Sequence, residues 1–386
     1  MYIIFYLIIY FFSFHFSETP KPKFEAQTID NNVSIGYGLA LGDVDGDGKT
    51  DILLADKKQI VWYRNGDWKK FIIAEDLTEH DNVCIAARDI TGDGKVEVAV
   101  GAQWNPGETS DVEKSGAVFY LSRPQDPTRK WQPVQLHHEP TTHRMRWVQS
   151  PEGEFFLVVL PLHGRGNKAG EGDGVKVMAY RFPSNPEQKW ETFTVDENMH
   201  LTHNFEFLES EDKTELYIAG KQGVRSVLYS GNKKPDGKAR RIEGLDQPAG
   251  EVRLGELSSG QKIITTIEPM HGNQVVVYIM EDQVRRKVLD DQFKDGHGLA
   301  AADFLNLGRD QIVAGWRLPN DNDQFGIKLF VPTDASGSQW ESHIIDENEM
   351  ACEDLQVADL DGDGKPDIIA AGRATNNLKI YWNRNN

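Results

Sequence analysis

LALGDVDGDGKTDILLA, residues Leu39–Ala55, joins a short apolar strand, an Asp-rich turn with two glycines, and a second apolar strand. The phrase returns as IAARDITGDGKVEVAVG at Ile85–Gly101 and as LQVADLDGDGKPDIIAAG at Leu355–Gly372. A worn copy, LAAADFLNLGRDQIVAGW, spans Leu299–Trp316, and three weaker units with the same rhythm start at Arg146, Asn204 and Glu251. Third strands recur after them, such as IVWY at Ile60, VFYL at Val118, VVVY at Val275 and KIYW at Lys379. Fourth strands begin near a Trp or a basic residue, as in WKKFIIAED at Trp68 and WESHIIDE at Trp340. Alternation of period two with Gly-rich turns, and no long stretch of period 3.6, excludes a helical solenoid.

The last unit stops after its third strand. Its missing fourth has the pattern of FEAQTID, Phe24–Asp30, at the other end of the chain. An N-terminal strand that completes the last blade closes a ring and removes an exposed sheet edge. Seven units over residues 24–386 give roughly 50 residues each, near the range of propeller blades. The expected fold is therefore all-β: a single seven-bladed β-propeller closed by its N-terminal strand.

Composition sets the compartment and the partners. A formal net charge of −18 argues against binding a nucleic-acid backbone, which needs clustered Lys and Arg. Residues Met1–Phe12 are all apolar and the stretch ends near Ser17. It is shorter than the roughly 20 residues that span a bilayer. It reads as a signal peptide over residues 1–17, so a secreted or periplasmic protein with no transmembrane span in the mature chain is expected. No Lys or Arg precedes the stretch, which leaves a retained anchor or a buried segment as alternatives. The two cysteines, Cys84 and Cys352, are no disulfide scaffold. They read as small buried hydrophobes, with a bridge as the alternative.

The turns have the pattern DxDGDGxxD. Asp43, Asp45, Asp47 and Asp51, with the carbonyl of Lys49, offer alternating oxygens in a tight Gly-bearing turn, which suits structural Ca2+. Asp359, Asp361, Asp363 and Asp367, with Lys365, repeat the set, and Asp89, Thr91, Asp93 and Glu97, with Lys95, form a variant. No bidentate Glu stands at position twelve and strands flank the loop, so this is no EF-hand. Polar hairpin turns without metal are the alternative.

On these motifs the sequence resembles the FG-GAP/VCBS repeat family, whose blades carry the DxDGDG loop. A narrower resemblance runs through HRMRW, LPLHGRG, HNFEF, IEPMHGNQVVVY, GHGLAAAD, VAGWR and ACEDLQVADLDGDGKPDIIAAGRATNN. These segments are similar to bacterial single-domain VCBS proteins and to the propeller domain of the aldos-2-ulose dehydratase/isomerase family. The resemblance implies elimination of water from a keto-sugar, and a metal at the bottom of a cleft. That family's additional cupin-like and lectin-like domains have no counterpart in this sequence.

Histidines share a register. Six residues before the first Asp of each turn, or its equivalent, stand Tyr37, Val83, His143, His203, His297 and Glu353, with Glu251 nearby in the fifth unit. These positions begin innermost strands and so surround one mouth of the channel. Loops between second and third strands open on the same face and carry Trp104, His163, Arg165, His271, Trp316, Arg317 and Arg373. His143, His203, His297 and Glu353 are thus candidate catalytic or metal-ligating residues, with ligand types that suit Zn2+. The loop residues are candidates for binding a carbohydrate or keto-sugar, Trp104 and Trp316 by stacking on a sugar ring. The expected activity is that of a carbohydrate lyase or dehydratase, with a neutral His as base near pH 7. A non-catalytic adhesion or glycan-binding propeller is the rival.

Overall fold

The computed structural model describes residues 20–229 and 239–385; the expected signal peptide lies outside them. The described residues form seven four-stranded antiparallel sheets. Blades 1 to 6 take their strands in chain order, from Gly38–Gly42 through Lys69–Glu75 in blade 1 to Gly296–Ala302 through Trp340–Glu347 in blade 6. Blade 7 is built from Cys352–Ala358, Asp367–Gly372 and Asn377–Asn383, and its outermost strand is Phe24–Asp30. Phe24 faces Asn383 and Asp30 faces Leu378, so the ring closes as expected. No helix among the described residues is long and apolar enough to cross a membrane.

The pleat explains how blades stack. Along Asp51–Ala55 every side chain is buried, yet successive residues serve different neighbours. Leu53 and Ala55 pack with Val98, Val100 and Phe119 of blade 2. Ile52 and Leu54 pack with Ile369, Leu378 and Ile380 of blade 7. A middle strand with sheets on both sides reads as a continuous apolar run because both faces are covered. Seven hydrophobic clusters follow, each between two adjacent blades.

Cys84 and Cys352 are both buried and free, so the bridge is absent. Each belongs to a different inter-blade cluster. Cys352 fills space that a side chain at Gly298 or Gly315 would need. Burial pushes the Cys84 thiol up to about 12, which keeps it an inert hydrophobe at neutral pH.

Candidate functional site

The inner strands of blades 1, 2 and 7 end in Asp turns, and the bulged residues of blades 3, 4, 6 and 7 stand at the opposite strand end, so the two candidate sites sit on opposite faces. At the turn end, Asp43 accepts the Gly46 and Gly48 N–H groups at 2.6 and 2.7 Å. Both glycines have φ +83°, where a side chain would be strained. Asp51 is fully buried and accepts the Val44 and Asn65 N–H groups. Carboxylate oxygens of Asp43, Asp45 and Asp51 lie within 4.8 Å of one another, and so do those of Asp359, Asp361 and Asp367. Asp47 and Asp363 stand outside these groups; each accepts the N–H of the Lys two residues on.

Burial pushes the Asp51 carboxyl up to about 7; the Asn65 and Val44 N–H groups oppose the rise, and the Asp45 and Asp43 charges add to it. Asp367 is pushed up to about 6 in the same way. Crowded like charges on an all-oxygen donor set are what a hard divalent cation relieves, so both loops fit Ca2+.

The variant loop differs. Asp89 holds the Gly92 and Gly94 N–H groups as Asp43 does. Its acids form no ligand group of that kind among the described residues. Arg123 instead lies 3.0 Å from Asp93 and 3.7 Å from Glu97, so the chain supplies a cation of its own. Thr91 and Lys95 therefore flank an ion pair. In the worn loop of blade 6, Gln311 takes the place of the last acid and donates to Asp303 at 3.2 Å.

At the channel mouth the backbone does something the sequence does not announce. In blade 3, Thr142 pairs with Pro161 and Arg144 with Leu160, leaving His143 as an extra residue. The same skip leaves His203 between Thr202 and Asn204, His297 between Gly296 and Gly298, and Glu353 between Cys352 and Asp354. A bulge re-aims a side chain and is over-represented beside active sites. The inner strands of blades 1, 2 and 5 pair without a skip.

All three bulged histidines are anchored alike. His143 Nδ1 donates to the His203 carbonyl at 2.8 Å, His203 Nδ1 to the Gly250 carbonyl at 3.0 Å, and His297 Nδ1 to the Glu353 carbonyl. Each ring is thereby fixed by the next blade or the segment leading into it. Nδ1 carries the proton and Nε2 the lone pair. Burial holds all three well below the ordinary imidazole range, and nearby Arg144 and the other histidines reinforce this. They are neutral at pH 7, the form that takes a proton or a metal.

His203, His271 and His297 have ring nitrogens within 4.8 Å of one another. Their ring centroids are 4.2 to 5.2 Å apart. His271, placed at the rim from the sequence, therefore joins the central group. His143 does not: its centroid is 4.6 Å from His203, and Arg144 Nη1 sits 3.3 Å from its Nε2. With both nitrogens engaged, His143 supports the group rather than completing it.

Glu353 is 2% exposed and pinned, one oxygen taking Arg317 at 2.6 Å and the other Arg373 at 3.1 Å. Arg317 also forks onto Asp295, at 2.9 and 2.8 Å. Asp295 lies 3.4 Å from His271 Nδ1. Burial alone would raise the Asp295 carboxyl, but His271 and Arg317 hold it well below the usual range. Arg317 Nη2 also lies 3.2 Å from His271 Nδ1, so Asp295 and Arg317 together flank that nitrogen, in an outer layer of the kind found around metal-binding histidines. Sequence reading missed Asp295; its signal is its place two residues before His297.

The remaining rim residues divide. Trp104 stacks at 5.0 Å from His143 and is partly exposed, so it lines the mouth. Trp316 does not: it is 2% exposed, packs on Phe293 at 4.4 Å, and donates to the Gln324 carbonyl. No face of it is open to a sugar. His163 and Arg165 line a separate cavity beside blade 3, where Arg165 pairs with Glu139 at 2.7 Å. Glu251, 2% exposed, lies 3.2 Å from His203 Nδ1 and accepts Asn204 Nδ2 at 2.7 Å.

These features define a seven-bladed β-propeller with Asp turns on one face and a histidine funnel on the other. Residues 43–100 match the FG-GAP-like repeat model, so this stretch of the propeller carries an FG-GAP-like repeat. No curated protein matches the chain. Among solved structures it is similar to one titled as BBS1N in complex with ARL6DN, with TM-score 0.57 and 11% identity over 92% of this chain and 95% of that one. A chain of a mitotic checkpoint complex gives TM-score 0.57 and 10% identity, covering 100% of both chains. The WD40 β-propeller domain of Doa1 gives 0.51 and 11%, over 94% and 97%. At such identities the likeness concerns the fold alone.

Proposed function

We propose that this is an exported, calcium-stabilised propeller that acts on carbohydrate as a lyase or dehydratase, breaking a C–O bond next to a carbonyl or uronate. The observation that carries the reading is the convergence of His203, His271 and His297, two of them on bulges, with the Nδ1 of His203 and His297 engaged outward and the Nε2 atoms of His203 and His271 meeting each other. Three imidazoles with an outer carboxylate at Asp295 make a donor set suited to Zn2+. Such an ion, when bound, would polarise a carbonyl oxygen.

The chain's own groups cover the rest of the chemistry. Elimination needs a base for the proton next to the carbonyl and a positive group for the developing charge. Neutral imidazole at His203 or His297 is the base if no ion is held. Arg373, whose side chain is 43% exposed, is the cation open to a ligand, whereas Arg317 is nearly enclosed by its carboxylates. Trp104 offers a flat wall above His143.

The test pairs elemental analysis with a screen of keto-sugars and uronate oligosaccharides, reading the ultraviolet absorbance of unsaturated products. One transition-metal ion per chain is expected, lost in His203→Ala and His297→Ala together with activity. Turnover reduced on the order of 10²–10⁴-fold with no ion in any variant would assign the histidines to proton transfer instead. Calcium alone, with no unsaturated product from any sugar, would refute the reading in favour of a binding propeller.

A further inference from the structure

A small cavity of about 30 Å3 lies just below the histidines. Inner strands of blades 1, 2, 3, 4, 5 and 7 all contribute to its wall, so it sits on the propeller axis. Arg144, Asn204 and Asp354 line it, each one residue further from the mouth than bulged His143, His203 and Glu353. Arg146, Arg253 and Gln356 complete its polar wall. The space is close to the share of one water in the liquid, room for a carboxylate but not for a sugar ring.

Arg144 stands between this cavity and the funnel. Its Nη1 donates to the His143 carbonyl at 3.0 Å and lies 3.3 Å from His143 Nε2, which brings the guanidinium up to the level of the imidazole rings. The His143 ring is in turn 4.6 Å from that of His203 and 5.0 Å from that of Trp104 at the mouth. Only Nη1 is engaged in this way. Among the described residues Nε and Nη2 have no hydrogen-bond partner, and no carboxylate pairs with the side chain. Those two nitrogens form one edge of the guanidinium, a fork that matches the two oxygens of a carboxylate. The same edge grips Asp295 from Arg317, Glu139 from Arg165 and Asp246 from Arg241. In Arg144 neither nitrogen is sealed from solvent, so a ligand can reach the fork.

Charge selects the ligand. Three guanidiniums and one carboxylate line the cavity. Arg253 is paired, with Glu251 at 3.3 Å and with Glu206 at 3.6 Å. The one lining carboxylate, Asp354, already holds two backbone N–H groups, that of Leu39 at 2.7 Å and that of Leu355 at 2.9 Å. Arg144 and Arg146 are left without an ion-pair partner among the described residues; Arg146 Nε donates to the Phe205 carbonyl instead. A cation would be repelled here, and a hydroxyl group would leave both charges unmet. A carboxylate satisfies the charge and the fork together.

We propose that the free fork of Arg144 binds a carboxylate at the floor of the funnel, so that the funnel takes an acidic sugar unit rather than a neutral one. The sugar class rests on the carbohydrate reading of the funnel; the carboxylate site rests on Arg144. The test titrates the full chain with trigalacturonate and trimannuronate, and with the carboxyl-reduced form of each, by calorimetry and ligand-observed NMR. At least one acid is expected to bind roughly tenfold or more tighter than its reduced form, as a charged bidentate contact implies. Arg144→Gln should remove that preference, and Arg144→Lys, which keeps the charge but not the fork, should restore part of it. In the wild type itself, sodium acetate should weaken binding of the acid and spare the reduced form, with sodium chloride at equal ionic strength as the control. Absence of acid binding, equal affinity for acid and reduced form, or a preference that survives Arg144→Gln overturns the proposal. So does an acetate site that leaves the two sugars bound alike. Failure of the lyase reading is read separately, as no unsaturated product from any sugar, and leaves an Arg144-dependent preference for acid standing.

Discussion

Arg123→Gln should turn the blade 2 turn into a calcium-dependent one. In the native protein the Arg123 guanidinium lies 3.7 Å from Glu97, which is 5% exposed, and 3.0 Å from the more exposed Asp93. Burial raises the Glu97 carboxyl, while the Ile90 N–H and Arg123 oppose the rise. Removing the cation leaves a buried carboxylate without its counter-charge, which costs roughly 1–3 kcal/mol. A protein of this size should then melt a few degrees lower in chelator. The emptied space borders the same oxygen pattern as the Asp43 and Asp359 loops, with Asp89 already wrapped around two glycines. Calcium at a hundred times its Kd returns about 2.7 kcal/mol, enough to cancel the loss. Differential scanning calorimetry in chelator and in excess calcium, with calcium counted by elemental analysis, measures both quantities. The expected result is one more calcium per chain than wild type and a wider gap between the two melting temperatures. An Arg123→Gln protein with wild-type stoichiometry and an unchanged gap would refute the idea that the guanidinium stands in for a metal.

Three further outcomes are expected. Deleting residues through Asp30 should lower stability by several kcal/mol, because the strand's ladder to Asn377–Asn383 and the packing of Phe24 and Ile29 are lost; an unchanged melting temperature would sink the closure model. Asp30 accepts Tyr63 at 2.6 Å and Lys70 at 3.0 Å; burial alone would raise its carboxyl, but these bonds hold it below the usual value. Its contribution is thus present above about pH 4 and lost as pH falls through the lower native value, so wild type and Asp30→Asn should differ by about 1–2 kcal/mol at pH 7 and converge in acid; a constant difference in pH-dependent urea melts would count against it. Chelator should lower the melting temperature of wild type, and Asp45→Ala with Asp361→Ala should blunt that response; no chelator effect on protein shown to contain calcium would end the structural role.

Why the fold was readable and the site only half so has a physical basis. The repeat, the Asp turns and the displaced fourth strand are local patterns with period two, and each survives in the sequence as written. Bulges are different. Nothing in the side chains of His143, His203, His297 or Glu353 marks a skipped residue; only their common register hinted at a shared geometry. His271 sits on a loop, where no periodicity says which way a ring points, and its partner Asp295 is legible only through its nearness to His297. Trp316 was misplaced for a reason the pattern could have corrected. It has the same parity as Ile312 and Ala314 on the strand Gln311–Trp316, and all three pack into the blade 5–6 interface. Trp104, by contrast, lies beyond the end of Glu97–Ala102 and escapes that constraint.

The seam in blade 7 also sets a timetable for biosynthesis. The Lys23 N–H donates to the Asn385 side chain across 362 positions of sequence, and the Arg384 N–H returns to the Lys23 carbonyl. At ribosomal speeds of about 5–20 residues per second, the partner of Phe24–Asp30 emerges roughly 20–70 s after that strand has been made. Six blades can stack on one another in the meantime, but blade 7 cannot form. Until Asn377–Asn383 emerges, the newborn chain is an open horseshoe whose first strand waits unpaired. An exported chain threaded through a membrane in extended form would meet the same schedule on the far side. Completion of the ring therefore waits for Asn377–Asn383, and a nascent chain cut short anywhere before Asn377 is left without its clasp.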